Sequence, residues 1–540
     1  MSSWWQDRVV YQIYPRSFQD TNGDGIGDIP GIISHLPELR ELGIGIIWLS
    51  PVYSSPNDDN GYDISDYRRI HPDFGTMDDM DRLIAEASRL DIKLVMDLVI
   101  NHTSSEHEWF RKSRDPKSPY RDYYIWRPGV NGGLPNNWTS FFAENCWEYD
   151  DLSGEYYLHL FSRKQPDLNY ENPAVLEEVE NIMRFWLDRG ISGFRCDVIN
   201  ILSKSSLENG KKKLILTGSE YYISQNGTHE ILRRLRRDVL DHYDCFTVGE
   251  TVFVTPAMAK DLCDKSRREL DMVFSFEHME SDQYIVKWLK RRFRAGRFVK
   301  TISKWQSALE WNANYLENHD QLRCVSRYGD DTVYWKESAR MLAVYLLSLR
   351  GTPYIFQGQE IGMTNFDFKS MGEIKDVESH NVYRQLRSWH LPKSVCWNII
   401  HASSRDNSRT PMQWNNSENA GFTTGTPWLG INQNYRRINS DDQKKDPSSI
   451  RNFYQKMIAV RAGSETLRQG TFHALIRTNR LFSFEREYNG EKLTVLLSFS
   501  PRRQKAAGSG GILIASSNRT EYDGILLPYE AVILKNEVNI

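Results

Sequence analysis

The chain has 540 residues, of which 40% are hydrophobic and 26% charged, with a formal net charge of -3. Length and composition suit a globular protein of two or three domains, and so small a charge supplies no field to gather DNA, RNA or an anionic membrane surface, so a neutral partner is expected. Six cysteines are scattered without a close CxxC pair, which argues against a zinc or redox motif and reads as reduced thiols in the cytoplasm.

From the N-terminus, Met1 to Arg8 lacks the basic-then-apolar profile of a signal peptide, and no run of about 18 apolar residues follows anywhere, so no membrane association is expected. Val9 to Tyr14 reads as a strand, followed by a helix with Ile32, Ile33, Leu36, Leu39 and Leu42 on one face and by the strand Ile46 to Leu49. Thr76 caps a helix carrying Met80, Leu83, Ile84 and Ala87 at helical spacing, and Lys93 to Ile100 returns as a strand. The unit recurs as a helix over 175–187 stopped by Gly190, with a strand leading to Asp197, and as a helix over 231–240 with a strand from Cys245 to Val248. Met272 to Phe276, Tyr315 to Leu316 and Pro353 to Phe356 bring the strands to eight in β-α order, which predicts a (β/α)8 TIM barrel.

Two stretches break the rhythm, 103–170, rich in Trp, Asn, Pro and Gly, and 364–410, polar and irregular; long loops of this kind are lids or small subdomains. From residue 468 the pattern turns to short strands, Thr471 to Arg477, Leu481 to Glu487, Lys492 to Ser498, Ile512 to Ala515 and Ala531 to Leu534, with Asn489-Gly490 as a hairpin signal. The expected organisation is an α/β barrel from residues 1–102 and 171–467, an inserted subdomain from 103–170 after the third strand, and a C-terminal antiparallel β-sandwich domain from 468–540.

Asp97, Asp197, Glu250 and Asp320 each close an apolar run. Alone, each reads as a capping or salt-bridged acid. In a barrel the strand C-termini meet at one mouth, so four acids in register point to a site that uses carboxylates. Arg195, two residues before Asp197 on one strand, faces the same side and can keep that carboxylate ionised. Asp20-Thr21-Asn22-Gly23-Asp24-Gly25-Ile26-Gly27-Asp28 spaces oxygen ligands between glycines in the manner of a calcium loop, without the closing Glu of an EF-hand.

Asp97 to His102, Gly193 to Asp197, Val248 to Glu250 and Asn318-His319-Asp320 resemble the four signature regions of the α-amylase family of glycoside hydrolases, and Gln165 to Asn169 resembles the further motif of its oligo-1,6-glucosidase branch. The resemblance implies a retaining double displacement. Asp197 would attack the anomeric carbon, Glu250 would protonate the leaving oxygen and then activate water, and Asp320 would hold the sugar's 2- and 3-hydroxyls. Retention needs the nucleophile and acid about 5–5.5 Å apart and an acid of raised pKa. His102 and His319 would donate to glucose hydroxyls, Phe161 would line the sugar site, and Asp59 with Tyr62 would close the non-reducing end. Arg405 or Arg409 would complete the Asp59 grip, with alignment favouring Arg409. The resemblance also places a structural Ca2+, or Mg2+ in a tighter site, on Asp20, Asn22, Asp24, the Ile26 carbonyl and Asp28, and it implies no organic cofactor.

Within this branch, Val after the nucleophile accompanies α-1,6 cleavage and Ala or Thr accompanies α-1,4 cleavage; here the residue is Val198. The expectation is a cytoplasmic, monomeric exo-α-glucosidase acting on small oligosaccharides, with no nucleic acid or membrane partner. Trehalose-6-phosphate hydrolase is the alternative, matched by Ser408; it needs a basic clamp for phosphate, for which Lys211-Lys212-Lys213 is the candidate, although a solvated charge run is the better reading of those lysines. A non-catalytic transporter chaperone is disfavoured by the intact acids, and sucrose isomerisation by the missing Arg-rich loop after Asp320. Leu322 and Thr251-Val252-Phe253 depart from the family pattern on the leaving-group side.

Overall fold

Eight short apolar strands line up in parallel: β1 (Val10–Ile13), β2 (Ile46–Leu49), β3 (Lys93–Leu98), β4 (Gly193–Cys196), β5 (Phe246–Glu250), β6 (Met272–Phe274), β7 (Ala313–Asn314) and β8 (Thr352–Phe356). The computed structural model describes residues 3–142, 144–506 and 511–536; residues 1–2, 143, 507–510 and 537–540, which belong to the expected N-terminal segment, inserted stretch and C-terminal domain, lie outside the described residues. The strands run in the order β6-β5-β4-β3-β2-β1-β8-β7, and contact between β6 and β7 closes the cylinder. Helices fill the outside, as the alternating pattern requires. Thr76 caps the helix Met77–Arg89 in a full capping box with Asp79, and Gly43 in a left-handed conformation (φ 99°) ends the helix Ile29–Leu42.

Several strands stop before the positions expected from the sequence, among them β1 at Ile13 and β6 at Phe274. The Val99 and Ile100 carbonyls accept from the Tyr67 and Tyr170 hydroxyls, so β3 ends at Leu98. The seventh strand lies two residues earlier than Tyr315-Leu316, because the Tyr315 carbonyl accepts from the His278 ring instead of a strand neighbour. The polar stretch 364–410 holds the helices Val377–Ser388, Lys393–His401 and Asp406–Arg409, folded over an apolar cluster of Phe368, Ile374, Val382, Leu386, Cys396 and Ile400.

Within the inserted stretch, Trp126–Arg127, Trp147–Asp150 and Glu155–Leu158 form a three-stranded sheet. The C-terminal strands β9 (Thr471–Arg477), β10 (Leu481–Tyr488), β11 (Glu491–Ser498), β12 (Ile512–Ser516) and β13 (Ala531–Lys535) form an antiparallel sheet in the order β9-β10-β11-β13-β12. Its β10–β11 hairpin turns on Asn489 (φ 48°) and Gly490 (φ 82°), the paired positive values of a type I′ turn. Gln504–Lys505 and Ile525–Leu526 add a small second sheet. Among the described residues no helix is long and apolar enough to cross a membrane.

Candidate active site

The parallel register assembles the acids. Asp97 on β3 lies opposite Arg195 on β4, and Val248 on β5 lies opposite the same arginine. Asp197 and Glu250, each two residues further along its own strand, therefore reach the same level and the same face. The Arg195 guanidinium, 1% exposed, is the hub: Nη1 donates to Asp97 and to Asp197 Oδ1 (2.6 Å), and Nη2 pairs with Glu250 Oε2 (2.7 Å). Trp48 and Tyr62 flank the cation at 5.2 and 5.6 Å, and both donate to Asp97 Oδ2, at 2.9 and 3.4 Å.

One buried cation cannot keep three neighbouring carboxylates ionised equally. Burial pushes Glu250 up to about 8 against the pull of Arg195, with Asp197 and Asp320 adding to the rise. Burial lifts Asp197 only to about 6, because Arg195 opposes it and a hydrogen bond from Glu250 favours its anion. Asp97 is likewise lifted by burial to about 6, with Arg195 and the Trp48 N–H restraining it. Asp320 moves the other way: burial raises it, but His319, Arg405 and Arg409 together hold it well below the carboxylate range. At neutral pH the arrangement is one protonated acid, Glu250, beside one ionised carboxylate, Asp197.

A second cluster faces this one. Arg405 Nη2 pairs with Asp59 Oδ1 (3.1 Å) and Asp376 Oδ1 (2.6 Å), and its Nη1 lies 3.4 Å from Asp320 Oδ1. Arg409 instead holds Asp320 (2.6 Å) and donates to the His319 carbonyl (2.9 Å). In this structure the ion-pair partner of Asp59 is Arg405 and not Arg409, which alignment favours: the Arg409 side chain is held by the His319 carbonyl and Asp320 beyond β7, while Arg405 before the helix Asp406–Arg409 is anchored on Asp376. Asp376 carries no motif and lies in the stretch read as irregular, so sequence reasoning missed it.

His319 is kept neutral, lowered to about 3 by burial and by Arg195, Arg409 and Arg405, against the pull of Asp320. The Gln12 amide donates to its Nδ1 at 2.8 Å, which places the proton on Nε2, a buried atom with no hydrogen-bond partner. The Tyr14 hydroxyl and Arg409 Nη1 have no hydrogen-bond partner in the same neighbourhood, although Nη1 lies 3.9 Å from Asp376 Oδ1. Such orphaned donors suit a site built for sugar hydroxyls. The His102 Nε2 lies 3.1 Å from the Tyr62 carbonyl and 3.2 Å from the Gln165 amide nitrogen, and its Nδ1 lies 3.3 Å from the Asn101 amide. Tyr62 stacks on His319 (5.2 Å), and Phe161, half-buried, stacks on Phe141 (4.9 Å) beside His102.

Val198 adopts φ 37°, ψ 41°, a left-handed conformation rare for a β-branched residue, and its side chain packs with Ile125, Trp138, Leu158, Ile201 and Tyr222. It thereby ties the nucleophile's loop to the core of the inserted segment. Ser408 is buried and donates to the Arg405 carbonyl (2.9 Å), while Lys213 is paired with Glu220 (2.6 Å). A separate cleft of about 1060 Å³, bounded by Arg121, Trp126, Lys204 and Arg234, contains none of the sequence-predicted site residues.

The 20–28 loop folds on itself. Asp20 accepts from the Asn22, Gly23 and Gly25 N–H groups, Asn22 from Asp24, Asp24 from Ile26, and Asp28 from Thr21 and Gly31. Its donors are all oxygens, a set that suits a hard cation. Among the described residues, however, no three His, Cys, Asp or Glu side chains form a cluster able to hold a metal.

A closed parallel barrel with a protonated and an ionised carboxylate at its mouth is the equipment of a glycoside hydrolase. Residues 12–470 match the alpha amylase catalytic domain, and the chain belongs to that family. Over 512 residues it is 52% identical to the oligo-1,6-glucosidase of Parageobacillus thermoglucosidasius, covering 92% of this chain and 91% of that protein. It is 44% identical to the trehalose-6-phosphate hydrolase of Bacillus subtilis, covering 92% and 90%. The solved trehalulose synthase of Pseudomonas mesoacidophila superposes with a TM-score of 0.96 at 39% identity, over 99% of this chain and all of that one.

Because turnover needs Asp197 ionised and Glu250 protonated, kcat/KM should rise as pH rises through about 6 and fall as it passes about 8. A pH–rate profile on a neutral disaccharide reads this directly; full activity retained at pH values well above 8 contradicts the assignment of Glu250.

Proposed function

We propose that the protein is a retaining, exo-acting α-glucosidase that releases terminal α-1,6-linked glucose from isomalto-oligosaccharides, and α-1,4-linked glucose from short malto-oligosaccharides. The observation that carries the reading is the placement of Asp197 and Glu250 on one buried guanidinium, Arg195, at 2.6 and 2.7 Å. Asp197 attacks the anomeric carbon while Glu250 gives its proton to the departing oxygen. Glu250, now ionised, takes a proton from water, which opens the glucosyl ester and regenerates both groups. Asp320, held ionised by Arg405 and Arg409, engages the ring hydroxyls through the oxocarbenium-like transition state. His319 Nε2 supplies a neutral hydrogen-bond donor to the same sugar. Asp59 and Arg405 close the far end of the pocket, which suits a single terminal glucose.

Val198 and the oligo-1,6-glucosidase relatives support α-1,6 substrates. Since Val198 packs into the inserted segment's core, its influence on linkage runs through the placement of that segment. Trehalose-6-phosphate is the second reading, favoured by the relatives of that name. The pairing of Lys213 with Glu220 and the burial of Ser408 favour a neutral substrate.

The chain divides, in this reading, into a barrel of residues 1–102 and 171–467, an inserted subdomain of 103–170 and a C-terminal domain of 468–540, and it works as a cytoplasmic monomer. A Ca2+ held by Asp20, Asn22, Asp24, Asp28 and the Ile26 carbonyl stabilises the fold and takes no part in the chemistry.

Isomaltose, panose, maltose and trehalose-6-phosphate, compared at equal concentration, test the substrate. Glucose released from isomaltose and panose fits; turnover confined to the phosphorylated disaccharide contradicts it. Asp197→Ala should lower activity by at least about 10⁴-fold while the barrel still folds, and activity within about tenfold of wild type refutes the nucleophile. Adding Ca2+ after chelation should raise the thermal midpoint and leave the pH profile unmoved; an unchanged midpoint contradicts the metal site.

A further inference from the structure

One buried amide joins the loops that follow the two reacting carboxylates. Asn200, three residues past Asp197 and 0% exposed, accepts at Oδ1 from the Val252 N–H (2.9 Å) and donates from Nδ2 to the Val252 carbonyl (2.9 Å) and to Ser224 Oγ (3.1 Å). Val252 is two residues past Glu250. The same side chain thus grips both polar groups of one residue in the acid's loop, while its own carbonyl accepts from the Ser224 N–H (2.7 Å).

The gripped backbone is strained on each side. Val198 (φ 37°), Ser224 (φ 47°) and Phe253 (φ 52°) are all left-handed without being glycine. Such residues persist only where the surroundings over-determine them. Here the Val198 N–H reaches Glu250 Oε2 (3.4 Å), the Val198 carbonyl accepts from Ile201 (3.2 Å), and Val252 packs against the cluster that holds Val198, Ile201 and Tyr222. Phe253, at the outer end of this loop, is half exposed.

We propose that Asn200 is a positioning residue: by clamping Val252 it fixes the Glu250 carboxyl relative to Asp197, and with it the leaving-group side of the site. The amide carries no charge, so it leaves ionisation to Arg195 and controls direction alone. Asp at this position loses the donor to the Val252 carbonyl, and Ser cannot satisfy both backbone groups. The proposal rests on Glu250 being the acid.

Misplacing an acid harms bond cleavage in proportion to the leaving group's need for a proton. A sugar alkoxide needs one, whereas p-nitrophenolate departs nearly unaided. Asn200→Ala should therefore lower kcat/KM for isomaltose about 100-fold and for p-nitrophenyl α-glucoside less than about fivefold, since kcat/KM reads the bond-breaking half. Glu250→Gln, measured alongside, must show the same leaving-group pattern; if it does not, the acid assignment itself fails. If Glu250→Gln shows the pattern and Asn200→Ala lowers both substrates equally, or neither, the positioning role is overturned. Should Asn200→Ala not fold, Ser224→Ala decides: a smaller fall confined to isomaltose supports the clamp, and an equal or absent effect on the two substrates overturns it.

Discussion

Everything at the barrel mouth depends on one fully buried guanidinium. Arg195 lies buried among Asp97, Asp197 and Glu250 with little water-accessible surface to screen the charges. A buried cation is tolerated only when its partners compensate it, and losing one partner of such a pair costs about 3–5 kcal/mol. One positive charge against three acids leaves an imbalance, and the most weakly compensated acid keeps its proton. That acid is Glu250, lifted first by its own burial and then by Asp197 and Asp320 against the pull of Arg195, so the proton needed for catalysis follows from burial and charge together.

The barrel makes that count possible. Parallel register places Arg195 opposite both Asp97 and Val248, and the two-residue period of a strand then sets Asp197 and Glu250 side by side. The second cluster, Asp59, Arg405, Asp376, Arg409 and Asp320, lets Asp320 stay ionised a short distance away. Two neighbouring charge networks therefore give three carboxylates three different protonation behaviours in one cavity. Aromatic rings stack beside these charges, Tyr62 on His319 and the half-buried Phe161 on Phe141.

Local signals in the sequence carried most of the architecture. The capping box at Thr76 and the Asn489-Gly490 turn are short-range features that stand where their chemistry predicts, and Asp97, Asp197 and Glu250 lie at or beside strand ends, whereas Asp320 lies well beyond the end of β7 at Asn314. What was illegible depends on contacts between distant segments. Asp59 pairs with Arg405 because Asp376, in a stretch without apolar periodicity, anchors that arginine. His102 lies beside the Tyr62 carbonyl and the Gln165 amide, neighbours that only the folded loop brings near. The left-handed Val198 runs against the preference of a β-branched residue, so no propensity could have indicated it. The oxygens of the 20–28 loop fit both a cation site and a set of Asx turns, and spacing alone does not separate the two.

The central claim is that Glu250 holds a proton at neutral pH while Asp197, beside it, does not. Infrared difference spectroscopy of the carboxyl stretch, following wild type and Glu250→Gln from pH 5 to 10, tests it most directly. The account predicts a protonated-carboxyl band that persists at pH 7, disappears near pH 8 and is missing from Glu250→Gln. A wild-type spectrum in which the Glu250 band is already lost below pH 6 would contradict it.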